Sequence, residues 1–306
     1  MKVAFITEGN LAKNTPRNHP NLRTDQAWMV ALNADHYNIA DLPKEDYDVA
    51  IVIVPKERNR EVLAQAEYPL VQKVQTVAKR VYVMQESTHW DWQDESVTSM
   101  VWYYQQLCAA DAVLCHNDID VPYFTGITGK QAKVLPTLML TDTVKVSEER
   151  EDRVFVAGNW HTTYRGFDSW VIGSCFELPM SGFKSGKFKP GEEMTGIEYL
   201  PWMDWSEFMY ELSKCRYGVQ TYQASAGQFP LNCAYLGIPC IGYGDINTQR
   251  DLFPDLSVDR GDVLQARVLV DKIKNDKVFY KEVSDKAKQL YQELYSEEAF
   301  LAKVEL

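Results

Sequence analysis

Short runs of β-branched and other apolar residues recur along this chain with amphipathic segments between them. The whole pattern occurs twice. "KVAFIT" (2–7), "DVAIVIV" (48–54), "RVYVMQ" (80–85), "AVLCHN" (112–117) and "AKVLPT" (132–137) read as strands, with helical segments at 24–34, 58–66, 68–79 and 96–109. Four to seven apolar residues without alternation fit strands buried on both faces, hence a parallel sheet. Strand–helix alternation implies βαβ units and a doubly wound architecture. The charged stretch "DTVKVSEERED" (142–152) lacks a periodic core and reads as a linker.

The pattern then restarts. "RVFVAGN" (153–159) is a strand, "FDSWVIGSCF" (167–176) a helix and "GIEYLPW" (196–202) a strand with its turn. "DWSEFMYELSKC" (204–215) is a helix in which Asp204 and Glu207 have capping-box spacing. "YGVQTY" (217–222) is a strand, residues 229–236 a helix and "IPCIGYG" a further strand. Residues from Asp276 onward read as one or two helices, and 184–193 as an exposed loop. The expectation is two Rossmann-like α/β domains of about equal size, 1–145 and 151–285, followed by a terminal helix at 286–306.

Composition narrows the partners. Net charge is −11, and residues 1–150 carry 15 basic and 20 acidic side chains, so neither half is basic. A polyanion binder usually has the opposite sign. No apolar run is long enough to span a membrane, and "MKVAFITEGN" lacks the features of a signal peptide. Six scattered cysteines without a C-x-x-C pair fit a reduced, cytoplasmic setting and give no metal site.

In open α/β sheets, ligands bind outside the carboxyl ends of the strands, so the loops there carry the candidates. "QTYQASAGQFPLNCAYLGIPCIGYGD" ends a strand, turns through small residues and starts a helix at once. Ser225, Ala226, Gly227 and Gln228 would present backbone N–H groups to an anion, although Ser225 also fits a plain N-cap and the stretch an ordinary turn. "AGNWHTTYRG" (157–166) offers Arg165 as a phosphate clamp. "MQESTHWDW" (84–92) gathers Glu86, His89 and Asp91 as candidate bases. The polar loop 7–28 holds the one concentrated basic patch, with Gly9, Asn10, Lys13, Arg17 and Arg23 as acceptor-side candidates. No G-x-G-x-x-G follows either first strand, which argues against a nicotinamide dehydrogenase.

This order of parts resembles the GT-B glycosyltransferases. "IEYLPWMDWSEFMYELSKCRYGVQTYQASAGQFPLNCAYLGIPCIGYGD" is similar to their donor-domain signature, and "NDIDVPYF" (117–124) to the segment that closes their first domain. The resemblance implies two facing Rossmann-like domains, with the terminal helix returning to the first. It also implies a nucleotide diphosphate sugar, most readily a UDP-sugar, as co-substrate, with no further cofactor and no metal. Carried onto this sequence, residues 225–228 hold the diphosphate and Arg165 neutralises the leaving phosphate. Leu200 and Pro201 receive the base, Asn232 lies near the ribose, and Glu86 or Asp91 activates the acceptor if the reaction inverts. The paired glutamates of many retaining members are Ala224 and Asn232 here, and no lysine adjoins Arg165. The first half is also similar in plan to phage DNA-base glucosyltransferases, which makes DNA an alternative acceptor to a glycan or small molecule. A non-catalytic nucleotide-sugar binder is a further alternative.

Overall fold

The computed structural model describes every residue except 10, 55–56, 87, 90–94, 159–165, 184–188 and 222–225, and the side chains of 57 and 58. Asn10, Asp91, Arg165 and Ser225 therefore lie outside the described residues, as does Ala224. The chain divides into two compact units. The first comprises Met1–His19, Thr24–Leu138 and Phe300–Leu306; the second comprises Pro20–Arg23 and Met139–Ala299.

The first unit is a six-stranded, wholly parallel sheet ordered β2-β1-β3-β4-β5-β6. Its strands are β1 (Val3–Thr7), β2 (Asp35–Asn38), β3 (Tyr47–Ile53), β4 (Ala78–Gln85), β5 (Ala112–Cys115) and β6 (Lys133–Val134). Helices α1 (Thr24–Ala31), α2 (Glu57–Gln65), α3 (Leu70–Val74), α4 (Val97–Ala109) and α5 (Val121–Thr128) lie between them. The apolar runs of β1, β3 and β4 are buried and pack with Trp102, Leu107 and Phe124 from the helices. The segment 68–79, expected to be one helix, is not. Only Leu70–Val74 is helical, because Ala78 is drawn into register opposite Tyr47 and starts β4. The polar strand β2, which alternation could not reveal, pairs at the edge with β1.

The second unit is also a six-stranded parallel sheet, ordered β12-β11-β10-β7-β8-β9. Its strands are β7 (Glu151–Val156), β8 (Met180–Phe183), β9 (Ile197–Leu200), β10 (Cys215–Gln220), β11 (Cys240–Tyr243) and β12 (Ser257–Val258). Helices α6 (Phe167–Ser174), α7 (Trp205–Ser213), α8 (Gln228–Leu236), α9 (Asn247–Leu252), α10 (Val263–Asn275), α11 (Lys277–Tyr295) and α12 (Glu297–Lys303) complete the order. Glu151 and Asp152, read as linker, begin β7: Glu151 pairs opposite Cys215, and both acids are exposed at the amino end of the strand. The capping box of α7 forms, with Glu207 accepting from the Asp204 amide at 3.3 Å. Asn21 reinforces it, donating to Asp204 at 2.9 Å and accepting from the Trp205 amide at 2.8 Å. The sequence reading omitted β8, α9, β12 and α10. For α10 the signals were present: Asp262 caps the Gln265 amide, and Ala266, Leu269, Val270 and Ile273 form its buried stripe. Among the described residues no helix is long and apolar enough to cross a membrane.

Candidate functional site

In the second unit the chain leaves β7 toward β8 on one side and returns to β10 on the other. The switch point therefore lies between β7 and β10, and the crevice outside their carboxyl ends is where such sheets take ligands. After β10 comes Thr221, whose amide donates to Ser169 Oγ of α6 at 3.0 Å. Helix α8 then starts from Gly227, whose φ of 57° is in the left-handed region. A Cβ there would sit 2.2 Å from Thr248 Oγ1 and 2.7 Å from Ile246 Cγ2. Thr248 also donates to the Gly227 carbonyl at 2.6 Å. Both backbone conformation and space thus require glycine. Pro230 contributes no N–H, so the first-turn donors of α8 come from Gln228 and Phe229.

Asn232, expected near a ribose, is 2% exposed. Its Oδ1 accepts from Trp205 Nε1 at 3.3 Å and from Gln228 Nε2 at 2.9 Å. It ties α8 to α7 and does not present its amide oxygen to a ligand. Gln220, which the sequence reading passed over, ends β10 with a buried carboxamide whose two polar atoms have no hydrogen-bond partner among the described residues. Such a group costs about 1–3 kcal/mol when left unmatched. Leu200 ends β9 half-buried, Pro201 is exposed, and Trp202 beside them is 76% exposed. Leu200 also lines a polar cavity of about 180 Å³ with Arg153, Ser181, Glu198, Lys214 and Cys215. Cys215 and Lys214 mark the amino end of β10, so that cavity is away from the switch point.

In the first unit the switch point lies between β1 and β3. Thr7 ends β1; its Oγ1 accepts from the Gly9 amide at 3.0 Å and lies 2.9 Å from Nε2 of buried His36. Burial pushes the His36 pKa down. Lys13 does not stand in an open basic patch. Its ammonium is 2.8 Å from Glu45 and 3.5 Å from Asp35; the hydrogen bond to Glu45 first, then the one to Tyr37 and the Asp35 charge, push its pKa up. Arg17 is exposed. Arg23 is exposed too, but it bridges Met139 and belongs to the second unit.

Glu86 follows β4, half-buried. Beneath it, Tyr103 donates to Gln85, and the Arg60 guanidinium lies 4.2 Å from the Tyr103 ring centroid and 2.8 Å from Glu95. His89 has the better-defined partner. Its Nδ1 lies 2.8 Å from Asp120 Oδ1, its backbone amide donates to the same oxygen at 3.1 Å, and its ring stacks on Tyr123 at 4.7 Å. The carboxylate can only accept, so Nδ1 carries the proton and a neutral ring keeps its basic lone pair on Nε2. Asp120 is 2% exposed and His89 retains 28% side-chain exposure. The sequence reading missed Asp120. Its signal was an acid just after β5, the strand neighbouring the one that leads to His89.

No family model matches the sequence, and no curated protein matches it. Solved structures do. S. aureus TarM, in a complex that includes UDP, matches with a TM-score of 0.64 at 12% identity, over 83% of this chain and 54% of that one. The chain thus spans about half the length of the TarM structures it matches. Sucrose-phosphate synthase from Thermosynechococcus elongatus matches with a TM-score of 0.69 at 10% identity, over 99% of this chain and 97% of that one. An alpha-glucosyltransferase in complex with UDP and a 13-mer DNA containing an HMU base matches with a TM-score of 0.59 at 12% identity, over 99% and 98%. At these identities the likeness is one of fold: the chain has the paired Rossmann-like α/β units of the GT-B glycosyltransferases.

Proposed function

We propose that this protein transfers a sugar from a nucleoside diphosphate sugar, UDP being the first nucleotide to try, to an acceptor hydroxyl. The observation that carries the reading is the start of α8: a glycine-locked turn at the β7/β10 switch point that aims backbone N–H groups outward. Helix dipole and amides together favour the developing charge of a departing diphosphate. Trp202 offers an exposed indole beside the Leu200–Pro201 turn proposed for the base. For an inverting transfer, His89 Nε2 takes the acceptor proton while the new C1–O bond forms and the C1–O bond to the diphosphate breaks. Asp120 stabilises the resulting imidazolium. Glu86 is the second candidate base.

The test is thermal denaturation with UDP, GDP, ADP, TDP and CDP. A ligand bound only by the folded state stabilises it by about 2.7 kcal/mol at 100 times its Kd. One nucleotide should raise the melting temperature. If none does at millimolar concentration, the reading falls. Sugar release from the donor without acceptor separates an enzyme from a binder. DNA as acceptor is supported by the full-length fold match to a DNA-bound glucosyltransferase. Affinity for hydroxymethylated duplex that does not weaken with salt would count against it.

A further inference from the structure

Gln220, the last residue of β10, is 1% exposed, and among the described residues neither Oε1 nor Nε2 has a hydrogen-bond partner. Side chains alternate across a strand, so Gln220 shares a sheet face with Gly218. A Cβ on Gly218 would meet Cys233 Sγ at 2.9 Å and Phe229 Cε1 at 3.2 Å, so α8 covers that face. One pleat further along the strand, Gln220 pairs with Gly242, where a Cβ would meet the Gln249 side chain, and α8, whose first turn begins at Gln228, follows β10 in the chain. A second unmatched acceptor belongs to that turn: Gln228 Oε1 is buried without a partner, although its Nε2 donates to Asn232. No charge competes for these amides within the segment, since residues 217–244 contain no Asp, Glu, Lys, Arg or His.

We propose that Gln220 is a specificity-determining residue that binds hydroxyl groups of the transferred sugar, an assignment that rests on the glycosyl-transfer reading above. A phosphate oxygen only accepts; it would satisfy Nε2 and leave Oε1 unmatched. A hydroxyl both donates and accepts, so a polyol satisfies both atoms of the carboxamide. The group that Gln220 reads is therefore the sugar and not the diphosphate.

The experiment compares the wild-type chain with Gln220→Met, which keeps the length of the side chain and removes the amide. Calorimetry measures the affinity of each for UDP, UDP-glucose and UDP-N-acetylglucosamine. UDP should bind both proteins within about twofold, while the extra affinity given by the sugar should fall about tenfold in the variant, a clean loss of one matched polar contact. An undiminished sugar increment, or an equal loss for UDP itself, overturns the assignment and leaves the glycosyl-transfer reading standing. A wild-type chain that gains nothing from either sugar also overturns it. Failure of the wild-type chain to bind any of the three removes both the assignment and the UDP-sugar reading. Without ligand, the variant should melt at the same temperature or higher, because it loses a buried unmatched amide. A marked drop would mean that Gln220 serves the fold, and would also overturn the assignment.

Discussion

The carboxyl edge of the first sheet and the turn between β10 and α8 in the second handle polarity in opposite ways. At the first, titratable side chains meet one another: His89 with Asp120 and Arg60 with Glu95. At the second, the segment has no charged residue, and its polar offering is backbone amides and neutral carboxamides held by a forced glycine. The first arrangement suits moving a proton. The second suits holding an anion or a polyol without moving one. Charge density is also a poor guide to a site: Lys13, one of the basic residues of the first loop, is tied to two acids.

Substitution at the two regions should separate these roles. His89→Ala should reduce transfer roughly 10²–10⁴-fold, the span of general acid–base catalysis, while the nucleotide-induced thermal shift stays unchanged. Asp120→Asn should reduce transfer in the same direction. Normal turnover in both would leave Glu86 as the base and break the proton-moving half of the comparison. Gly227→Val should destabilise by roughly 3 kcal/mol or more, because it adds a clash with Thr248 and Ile246 to an unfavourable φ. Urea unfolding reads this directly, and an unmoved midpoint would mean that the turn can relax.

Protonation gives a smaller test. The folded state depresses the His36 pKa below its ordinary 6.5, so the unfolded chain binds the proton more readily. The stability this histidine contributes is complete above that value and declines as pH falls through 6.5. His36→Gln should flatten the fall of melting temperature between pH 7.5 and 5.5; an identical slope would acquit His36. The smallest effect belongs to Lys13→Ala. The exposed pair with Glu45 is screened by water, so melting temperature should barely change. A large loss would show that this cluster of Lys13 with Glu45 and Asp35 is more cooperative than its exposure implies.

The fold was legible where burial is two-sided. β1, β3 and β4 declared themselves through unbroken apolar runs, and α7 through its capping box. What escaped depends on partners distant in sequence. β2 is polar and exists because β1 offers it an edge. The strand register opposite Tyr47 cut short the helix that periodicity extended to residue 79. The same holds for the sites. Gly227 is visible as a glycine after a strand, but its necessity comes from Thr248, twenty-one residues on. His89 was visible as a titratable group; Asp120, which orients it, comes from the short helical turn that follows the next strand of the sheet.

The grouping of residues 20–23 with the second unit, and of 300–306 with the first, means that the backbone passes from one unit to the other four times. Neither unit is a single uninterrupted segment, so no single cut releases one of them whole. During synthesis, Asn21 waits for Asp204 and Trp205 before it can cap α7, and Phe300–Leu306 joins the first unit only after residues 139–299 have been made. The first unit to begin is therefore the last to be completed, and its closing segment is one that a nascent chain does not yet possess.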